Sequence, residues 1–458
     1  MATVAELAEG AVIRLWLSGP GDVFEVFDAM RGAGVADVRQ VGVICTAREH
    51  VAVARAAGAG AVVGVGALAH AAPDVVVAAE DEVESLVAER WGPEGSQRRL
   101  VLLNPGPSLT SESVKRAAGL ADVCHREPEY RALDRRLRDK LRRLAGVGRD
   151  WELALLSGSG TSANEASLRA AVRPGRRLLV VVNGVYGARL RETARRAGIE
   201  TVAVEGPWTE PIDAAAVADA LAQEQALDAL AVVHHETTTG LLNPLAELAE
   251  AAADAGVCTV VDAISSFGVE EIALGPGIDF LTCTSNKCLH GLPGASFVFV
   301  SPAGTRRARS VEPTSVALDL VGYLDVETTS SPPFTPAIPA LASLDAALDL
   351  ALQEGIEGRR ARYAERCRIV DEAMERLGLE QLVAPEARSH SIRSLRLPEG
   401  VSFPALHDRL RADGFVVYAG QGALAAEIFR VACMGELTPD DLRRFAAALE
   451  RALAELRP

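Results

Sequence analysis

Short runs of β-branched and other apolar residues recur through the middle of the chain, and alanine-rich stretches with helical periodicity separate them. Six such runs are LALLS at 153, LLVVV at 178, LAVVHH at 230, CTVVDA at 258, FLTCTS at 280 and SFVFV at 296. Near-continuous apolar strands joined by helices are typical of a parallel or mostly parallel sheet that is covered on both faces. The sequence therefore predicts an α/β fold, in which ligands bind beyond the carboxyl ends of the strands.

Changes in residue pattern divide the chain into parts. The polar, glycine-containing stretch WGPEGSQRR predicts a linker at residues 93–99, after a first domain at residues 1–92. A large domain with the alternating pattern is predicted at residues 100–340. From there on the pattern changes to long amphipathic helices, the strand-like segments SIRSLRL and FVVYAG, and a final helix. This predicts a smaller α+β domain at residues 341–458.

Charge and cysteine usage exclude several classes of partner. A net charge of −15 over 458 residues argues against a nucleic acid or an anionic membrane, since both require a positive face. The apolar stretches are short and interrupted by charge, and the N-terminus MATVAELAEG lacks the pattern of a signal peptide, so we predict a cytoplasmic protein. Seven cysteines without CxxC pairs predict neither a disulfide framework nor a metal site.

Lys287 is the most unusual cation in the sequence. It is one of only three lysines among 47 basic residues, and it follows small, weakly polar residues in TCTSNKCLHGLPG. Asp262 stands at the end of the apolar run CTVV. Separately, Lys287 could be a surface lysine and Asp262 a helix cap. Together, an amine and a carboxylate at strand ends can hold the aldehyde carbon and the pyridinium nitrogen of pyridoxal phosphate.

A phosphate-bearing cofactor also requires an anion site, and SGSGTSANEASLRAA at residues 157–171 supplies one. A glycine and hydroxyl turn there opens a helix, whose free amides and dipole favour an anion. The stretch lacks GxxxxGK[ST] and does not complete the dinucleotide fingerprint, so a simple phosphate is favoured over a nucleotide. Tyr186 in NGVYG and Thr237 in HHETTTG follow other strands. Either could be an ordinary turn residue, or Tyr186 could stack on a flat ring and Thr237 could bond its phenolic oxygen.

Arg430 lies within the apolar strand pattern EIFRVACMG. A buried charge is costly unless it is paired. Arg430 therefore either meets an internal carboxylate or binds an anionic ligand. The guanidinium fork suits a carboxylate or a phosphonate.

From LLNPGPSLTSESV (102–114) to its C-terminus, the chain resembles the class V aminotransferases of pyridoxal-phosphate fold type I. Among them it is most similar to 2-aminoethylphosphonate:pyruvate transaminases and, more distantly, to alanine:glyoxylate aminotransferases. The resemblance rests on an ordered set of motifs: NPGP, CHREPEY, GSGT, NGVYG, HHETTTG, VDAISSFG, NKCLHGLPG, FTP and FRVACMG. It implies a mostly parallel seven-stranded sheet in the large domain and a smaller α+β domain.

The resemblance also implies roles for single residues. Lys287 would be the Schiff-base lysine, Asp262 the partner of the pyridine nitrogen, and Arg430 the ligand of the substrate's acidic end. Tyr186 would stack on the ring, and Thr237 would bond its phenolic oxygen. The phosphate would be held by Ser159, Gly160, Thr161 and Asn286, together with Thr335 of the neighbouring subunit. The resemblance thereby implies a homodimer with shared active sites.

The first hundred residues resemble the C-terminal half of a haloacid-dehalogenase-type phosphatase domain, with DVVVAAEDEVESLV as the last strand and helix. Such hydrolases need an N-terminal DxD nucleophile and an acidic GDxxxD segment beside magnesium. Here the N-terminal half is missing, and ICTAREH replaces the acidic segment. We interpret this part as a small α/β remnant without catalytic activity and with a docking or structural role.

Together, the residue patterns and the resemblance predict a pyridoxal-phosphate-dependent aminotransferase. It predicts transfer of an amino group from a small acidic amine, similar to 2-aminoethylphosphonate, to a 2-oxo acid such as pyruvate. One alternative is a pyridoxal-phosphate lyase acting on an aminophosphonate or a small amino acid with the same residues. Two others are a non-enzymatic scaffold and a bifunctional phosphatase and transaminase. A requirement for a 2-oxo acid would separate the transferase from the lyase.

Overall fold

The computed structural model describes residues 100–119 and 122–457 in full and, before residue 100, the backbone of five strands. The chain divides into two units, Met1–Leu100 and Val101–Pro458. The predicted linker at residues 93–99 lies outside the described residues.

The described strands of the first unit form one five-stranded sheet in the order β1-β2-β3-β4-β5. β1 is antiparallel to β2, and the other neighbouring pairs are parallel. The strand of DVVVAAEDEVESLV is present as β5, whereas its helix lies outside the described residues. The resemblance of this unit to a phosphatase domain stays a prediction. The strands are β1 (Ala2–Ala5), β2 (Ile13–Leu17), β3 (Val41–Cys45), β4 (Ala61–Val65) and β5 (Val75–Val77).

The second unit alternates strands and helices up to residue 300 and is mainly helical after it. Its strands are β6 (Val101–Leu102), β7 (Glu152–Ser157), β8 (Arg177–Val182), β9 (Glu200–Glu205), β10 (Leu227–Val233), β11 (His235–Glu236), β12 (Leu241–Leu242), β13 (Cys258–Asp262), β14 (Phe280–Thr284), β15 (Ala295–Val300), β16 (Ile392–Arg396), β17 (Phe415–Val416), β18 (Tyr418–Ala419) and β19 (Ile428–Ala432). Its described helices are α1 (Glu112–Ala117), α2 (Pro128–Ala145), α3 (Gly160–Ala171), α4 (Val185–Arg196), α5 (Ala214–Gln223), α6 (Leu245–Asp254), α7 (Pro302–Arg309), α8 (Leu320–Leu324), α9 (Val326–Thr329), α10 (Ile338–Glu354), α11 (Ile356–Arg376), α12 (Phe403–Ala412) and α13 (Pro439–Leu456).

The main sheet has seven strands in the order β7-β15-β14-β13-β10-β8-β9. Only β15 runs antiparallel to its neighbours, so the predicted α/β fold with a mostly parallel seven-stranded sheet is confirmed. Each of the six apolar runs forms one of its strands. The seventh strand, β9, lies at the edge of the sheet and is only partly buried, which explains why its sequence ETVAVE has polar residues at both ends and only a short apolar run.

Side chains alternate between the two faces of this sheet and pack into separate helical layers. Leu153 and Leu155 of β7 join a core formed with helices α2, α5, α6 and α10. Ala154 and Leu156 of the same strand join a second core with α3, α4, α7 and α8. Because helices cover both faces, the strand ends are the accessible part of the sheet. The carboxyl ends of the parallel strands meet on one side.

The C-terminal residues form an antiparallel sheet of three strands in the order β16-β19-β18, covered by α11, α12 and α13. Val101 and Leu103 pack into the same core, and β6 pairs in parallel with β17. Residues 101–103 therefore bind to the C-terminal part, although they precede the large sheet in sequence. Within residues 100–119 and 122–457 no helix combines the length and the hydropathy needed to cross a membrane.

Candidate active site

Lys287 lies in the turn that follows β14, and its side chain is packed against the NPGP motif. Its Nζ atom donates a hydrogen bond to the carbonyl oxygen of Pro105. Gly106 has φ of +111°, and a Cβ built there would lie 2.6 Å from Lys287 Cδ. Burial lowers the pKa of the Lys287 amine from 10.5 to about 8, and the nearby charges of Arg430 and Arg189 lower it as well. A substantial fraction of the amine is therefore neutral near pH 8.

Asp262 is the last residue of β13, and only 5% of its surface is exposed. Its Oδ1 atom accepts a hydrogen bond from the amide of Ile264 at 3.0 Å, and its Oδ2 atom accepts one from Asn164 Nδ2 at 2.6 Å. Burial raises the pKa of Asp262 to about 6, although both hydrogen bonds lower it. The carboxylate is thus ionised at neutral pH. A turn rather than a helix follows it, so Asp262 is not the helix cap considered as an alternative.

Lys287 and Asp262 line one cavity of about 150 Å³ at the carboxyl ends of the parallel strands. The cavity brings together seven of the predicted site residues: Ser159, Gly160, Thr161, Tyr186, Asp262, Asn286 and Lys287. Six further residues complete its wall: Asn164, Arg189, Leu190, Thr193, Ile264 and Thr284. A larger cavity of about 310 Å³, lined by residues of α2 and α9, contains none of the predicted residues.

The predicted anion site is the N-terminus of α3. Ser159 occupies the N-cap position, but its side chain makes no capping hydrogen bond. The amide of Ser162 donates to Ser159 O at 2.9 Å. The amides of Gly160 and Thr161 precede it in the first turn and have no carbonyl four residues earlier within the helix, so they can bind an anion in the cavity. Gly160 allows close packing here, because a Cβ at this position would clash with the side chain of Ile264.

Tyr186 lies in the first turn of α4, which the buried carboxylate of Glu236 holds in place. Glu236 accepts hydrogen bonds from the amides of Tyr186 at 3.2 Å and Gly187 at 3.1 Å, and from Thr238 Oγ1 at 2.6 Å. The guanidinium of Arg189 lies over the Tyr186 ring, 4.6 Å from its centroid. The backbone of Tyr186 is therefore fixed, and its ring lines the cavity.

Arg430 lies in β19 and is only 3% exposed. Its Nε atom donates to Ala419 O at 2.9 Å, and its Nη1 atom donates to Thr237 O at 3.0 Å and to Gln421 Oε1 at 3.2 Å. These acceptors are uncharged, and among the residues that the structure describes no carboxylate forms an ion pair with Arg430. The internal ion pair considered from the sequence is therefore absent within that part of the chain. Burial lowers the pKa of Arg430, and the buried Glu236 carboxyl, which does not contact the guanidinium, raises it in part. The guanidinium can therefore still take a contacting anion from a ligand.

Three predicted residues, Arg430, Thr237 and Thr335, are not among those that line the cavity. Thr237 is buried, and its hydroxyl lies 3.2 Å from Ser265 Oγ. Thr335 is exposed in the segment between α9 and α10. The expected contact of Thr237 with the ring oxygen and that of Thr335 with a neighbouring subunit's cofactor stay predictions.

Six residues of the cavity wall were not singled out in the sequence, and three of them show what signal was available. Asn164 comes one helical turn after Gly160, and this spacing is the signal that could have indicated it. Arg189 comes three residues after Tyr186 in α4, so it lies on the same helix face. Ile264 follows Asp262 by two residues, but nothing in its type distinguishes it from the core residues around it.

The donor set of the cavity fits pyridoxal phosphate. Lys287 offers an amine for an aldehyde, and Asp262 offers an ionised carboxylate for a ring nitrogen. The first turn of α3 offers amides and hydroxyls for a phosphate. Tyr186 offers an aromatic face. Within residues 100–119 and 122–457 no cluster of three metal-ligating side chains occurs.

Comparisons with known proteins agree with this chemistry. The family profile described as Aminotransferase class-V matches residues 113–434. A 2-aminoethylphosphonate–pyruvate transaminase of Burkholderia pseudomallei is 39% identical over 365 residues, which cover 79% of this chain and 98% of that protein. The enzyme of the same name from Burkholderia thailandensis matches with the same identity and coverage.

Solved structures show the same fold. A pyridoxamine–pyruvate aminotransferase from Mesorhizobium loti superposes with a TM-score of 0.75 at 27% identity, over 80% of this chain and 94% of that one. An alanine–glyoxylate aminotransferase from Nostoc sp. gives a TM-score of 0.74 at 29% identity, over 78% and 95% of the two chains. The named relatives are aminotransferases, which favours the transferase over the lyase. The chain belongs to the class V aminotransferases and is a pyridoxal-phosphate-dependent aminotransferase.

Proposed function

We propose that this aminotransferase moves an amino group from a small acidic amine of the 2-aminoethylphosphonate type to a 2-oxo acid such as pyruvate. The observation that carries the proposal is the buried guanidinium of Arg430, which has neutral acceptors and no carboxylate partner among the described residues. An unpaired buried charge is costly, so an anionic substrate relieves a penalty that a neutral amine leaves in place. The names of the Burkholderia relatives support a phosphonate as the anion.

Different cavity residues would hold different parts of the cofactor. Ser159, Gly160 and Thr161 would bind its phosphate at the N-terminus of α3, and Asn286 would add its side-chain amide. Asp262 would bind the protonated ring nitrogen. Tyr186 would cover one face of the ring. When bound, pyridoxal phosphate supplies an electron sink for the carbon that loses its proton.

The chain itself supplies the proton transfer and the orientation. In its neutral form, Lys287 Nζ can take a proton from the substrate carbon and later return one, which its pKa of about 8 allows near neutral pH. Asn164 keeps the Asp262 carboxylate directed into the cavity through the 2.6 Å hydrogen bond. Arg430 would fix the acidic end of the substrate, so that its amine points toward Lys287. Binding of the substrate's acidic group by Arg430 would thereby align the reacting carbon with Lys287.

Three broader proposals complete this function. We expect a homodimer in which Thr335 of each subunit reaches the phosphate bound by the other. We expect residues 1–92 to be a remnant without phosphatase activity that serves docking or structure. A cytoplasmic location fits the substrates, since 2-oxo acids such as pyruvate are products of central metabolism inside cells.

The test is turnover of the purified protein, loaded with pyridoxal phosphate, with 2-aminoethylphosphonate and pyruvate. We expect alanine to form in proportion to the amine consumed, and no more than one equivalent of amine to be consumed per active site when pyruvate is omitted. β-Alanine serves as the carboxylate of matching length, and ethylamine serves as the neutral control. Release of ammonia without pyruvate would instead establish the lyase, and equal rates with ethylamine would contradict the role of Arg430.

A further inference from the structure

One face of helix α11 carries three long polar side chains that are almost completely buried. Arg359, Tyr363 and Arg366 are 1%, 0% and 2% exposed. Their spacing of four and then three residues places them on the same side of the helix. Buried polar groups must find partners, so the contacts of this face show which parts of the chain it joins.

The N-terminal end of this face holds the loop that carries Lys287. The Arg359 Nη2 atom donates a hydrogen bond to the carbonyl oxygen of Cys288, the residue after the lysine. Its Nε atom donates to Gly268 O at 3.2 Å, and its Nη1 atom pairs with Glu354 at 3.0 Å. The backbone directly after Lys287 is therefore fixed to α11.

The other end of the face holds the chain that leaves the strand of Arg430. The Arg366 Nη1 atom donates to Gly435 O at 2.9 Å and to Cys433 O at 3.3 Å. Its Nη2 atom donates to Leu437 O. These carbonyls belong to the segment that follows β19, so Arg366 fixes the exit of the strand in which Arg430 lies.

His290 joins the two ends at the centre of the face. It lies three residues after Lys287 with φ of +62° and is buried. Its Nε2 atom accepts a hydrogen bond from the amide of Gly435 at 3.1 Å and lies 2.5 Å from Tyr363 OH, while its Nδ1 atom lies 3.2 Å from Glu436 Oε1.

The contacts of His290 determine which of its two ring nitrogens carries the proton. Since Nε2 accepts from an amide, the proton stands on Nδ1 and points to the carboxylate of Glu436. Burial lowers the pKa of His290 to about 3, so the ring keeps this neutral state throughout the working range of pH. The ring is thus a fixed link between the Lys287 loop and the exit of the Arg430 strand.

We propose that His290 and the Arg359–Tyr363–Arg366 face set the separation between Lys287 and Arg430, and that this separation selects the length of the acidic amine. The inference rests on the proposed function, in which one substrate reaches both residues. The amine must lie at Lys287 while the acid binds Arg430, so a substrate one methylene too short or too long is misplaced by about 1 Å. Misplacement of that size costs up to about a hundredfold in rate.

The test compares three substrates that differ only in length: aminomethylphosphonate, 2-aminoethylphosphonate and 3-aminopropylphosphonate. Wild-type holoenzyme should prefer one of them in kcat/KM by about tenfold or more. Tyr363→Phe removes one hydroxyl from the centre of the face. We expect it to reduce this preference about fivefold or more, mainly through loss of rate on the preferred length.

Two controls separate positioning from general stability. Tyr323→Phe removes a hydroxyl that donates to Ala317 O at 2.9 Å in a solvent-exposed hydrogen bond, and the length preference of this variant should match that of the wild type. His290→Asn keeps a residue that tolerates positive φ but removes the ring, and it should reduce the preference as Tyr363→Phe does. In Tyr363→Phe and His290→Asn, the affinity of the holoenzyme for unreactive ethylphosphonate, measured by calorimetry, should stay within about twofold of the wild-type affinity, because Arg430 is intact.

The outcomes are distinguishable. If Tyr363→Phe and His290→Asn lower the rates on all three lengths by the same factor, or leave the preference unchanged, the positioning proposal is overturned while the proposed function stands. A wild type that transaminates the three amines without preference has the same consequence. A wild type that transaminates none of them overturns the proposed function and this inference together.

Discussion

The backbone of Gly106 lies against the side chain of Lys287, so closely that a Cβ at position 106 would stand 2.6 Å from Lys287 Cδ and 2.7 Å from Nζ. Gly106 also has φ of +111°, a conformation that residues with a side chain rarely adopt. The motif NPGP therefore shapes one side of the space in which the reactive amine moves. This contact joins the start of the second unit to the loop after β14.

Gly106→Ala should displace Lys287 and lower kcat about a hundredfold or more, because the reacting amine leaves its position. The matched control is Gly146→Ala at the C-terminus of α2, where φ is +68° and nothing lies within 4 Å of the added Cβ. It should cost about 1 kcal/mol of stability from the strained backbone and leave kcat unchanged. Steady-state rates and thermal unfolding of both variants provide the comparison. Equal rates in the two variants would show that contact with Lys287 is not what requires glycine at 106.

Asn164→Ala tests the support of Asp262. The Asn164 amide donates to Asp262 Oδ2 at 2.6 Å and lowers the pKa of that carboxyl against the effect of burial. Its loss should raise the pKa of Asp262, so the acid limb of the kcat/KM profile should move to higher pH. A loss of activity of about tenfold at neutral pH should accompany the shift. A lower rate with an unchanged acid limb would mean that Asn164 only fills space.

The strands and their ends were predictable from the sequence because the signal is local. Continuous apolar runs indicate strands buried on both faces, and the polar residues after them, including Asp262 and Lys287, fall at one edge by the geometry of a parallel sheet. Arg430 was identified from a charge inside an apolar strand. The absence of a carboxylate partner within the described residues required the structure.

Other parts of the site were not predictable, since they depend on contacts between distant segments. Asn164 reaches Asp262 across 98 positions in sequence. In α11, Arg359 and Arg366 have the spacing of an ordinary solvated helix face, and only the packing of two loops against them makes them buried. The edge strand β9 has only a short apolar run because solvent reaches part of it. The type of a side chain does not indicate which distant residues will contact it.

The pH dependence of cofactor capture tests the state of Lys287. Only the neutral amine attacks an aldehyde, and burial lowers the pKa of Lys287 from 10.5 to about 8. The rate at which cofactor-free protein takes up pyridoxal phosphate covalently should therefore rise with pH, with a midpoint at about 8. Arg430→Gln removes a nearby positive charge that lowers this pKa, so it should move the midpoint upward. Absorbance of the lysine-bound cofactor follows the reaction, with N-acetyl-lysine as the reference amine. A midpoint near 10.5 in the protein would contradict the assignment.

Arg430 is the residue that should separate substrate recognition from cofactor binding. Arg430→Ala should raise KM for 2-aminoethylphosphonate and lower kcat/KM by about 2 kcal/mol or more in transition-state free energy, while cofactor uptake remains complete. Arg430→Lys should recover only part of this, because the fork of the guanidinium is lost. Arg430→Ala should lower the free energy of unfolding less than the loss of a buried ion pair does, since it removes a charge without a contacting carboxylate among the described residues but leaves Ala419 O and Thr237 O without this donor.

The matched control for Arg430 is Arg393 on the neighbouring strand β16. Arg393 is also buried, but it forms two hydrogen bonds with Asp371 at 2.6 and 2.9 Å. Arg393→Ala leaves the partly exposed Asp371 carboxylate with Gln381 Nε2 as its remaining donor. It should lower the free energy of unfolding by about 1 to 2 kcal/mol and leave KM near the wild-type value. Denaturant unfolding and steady-state kinetics of both variants distinguish the two arginines. If Arg430→Ala instead destabilises the fold and keeps full activity on every acidic amine, Arg430 is a structural residue and the substrate's acid binds elsewhere.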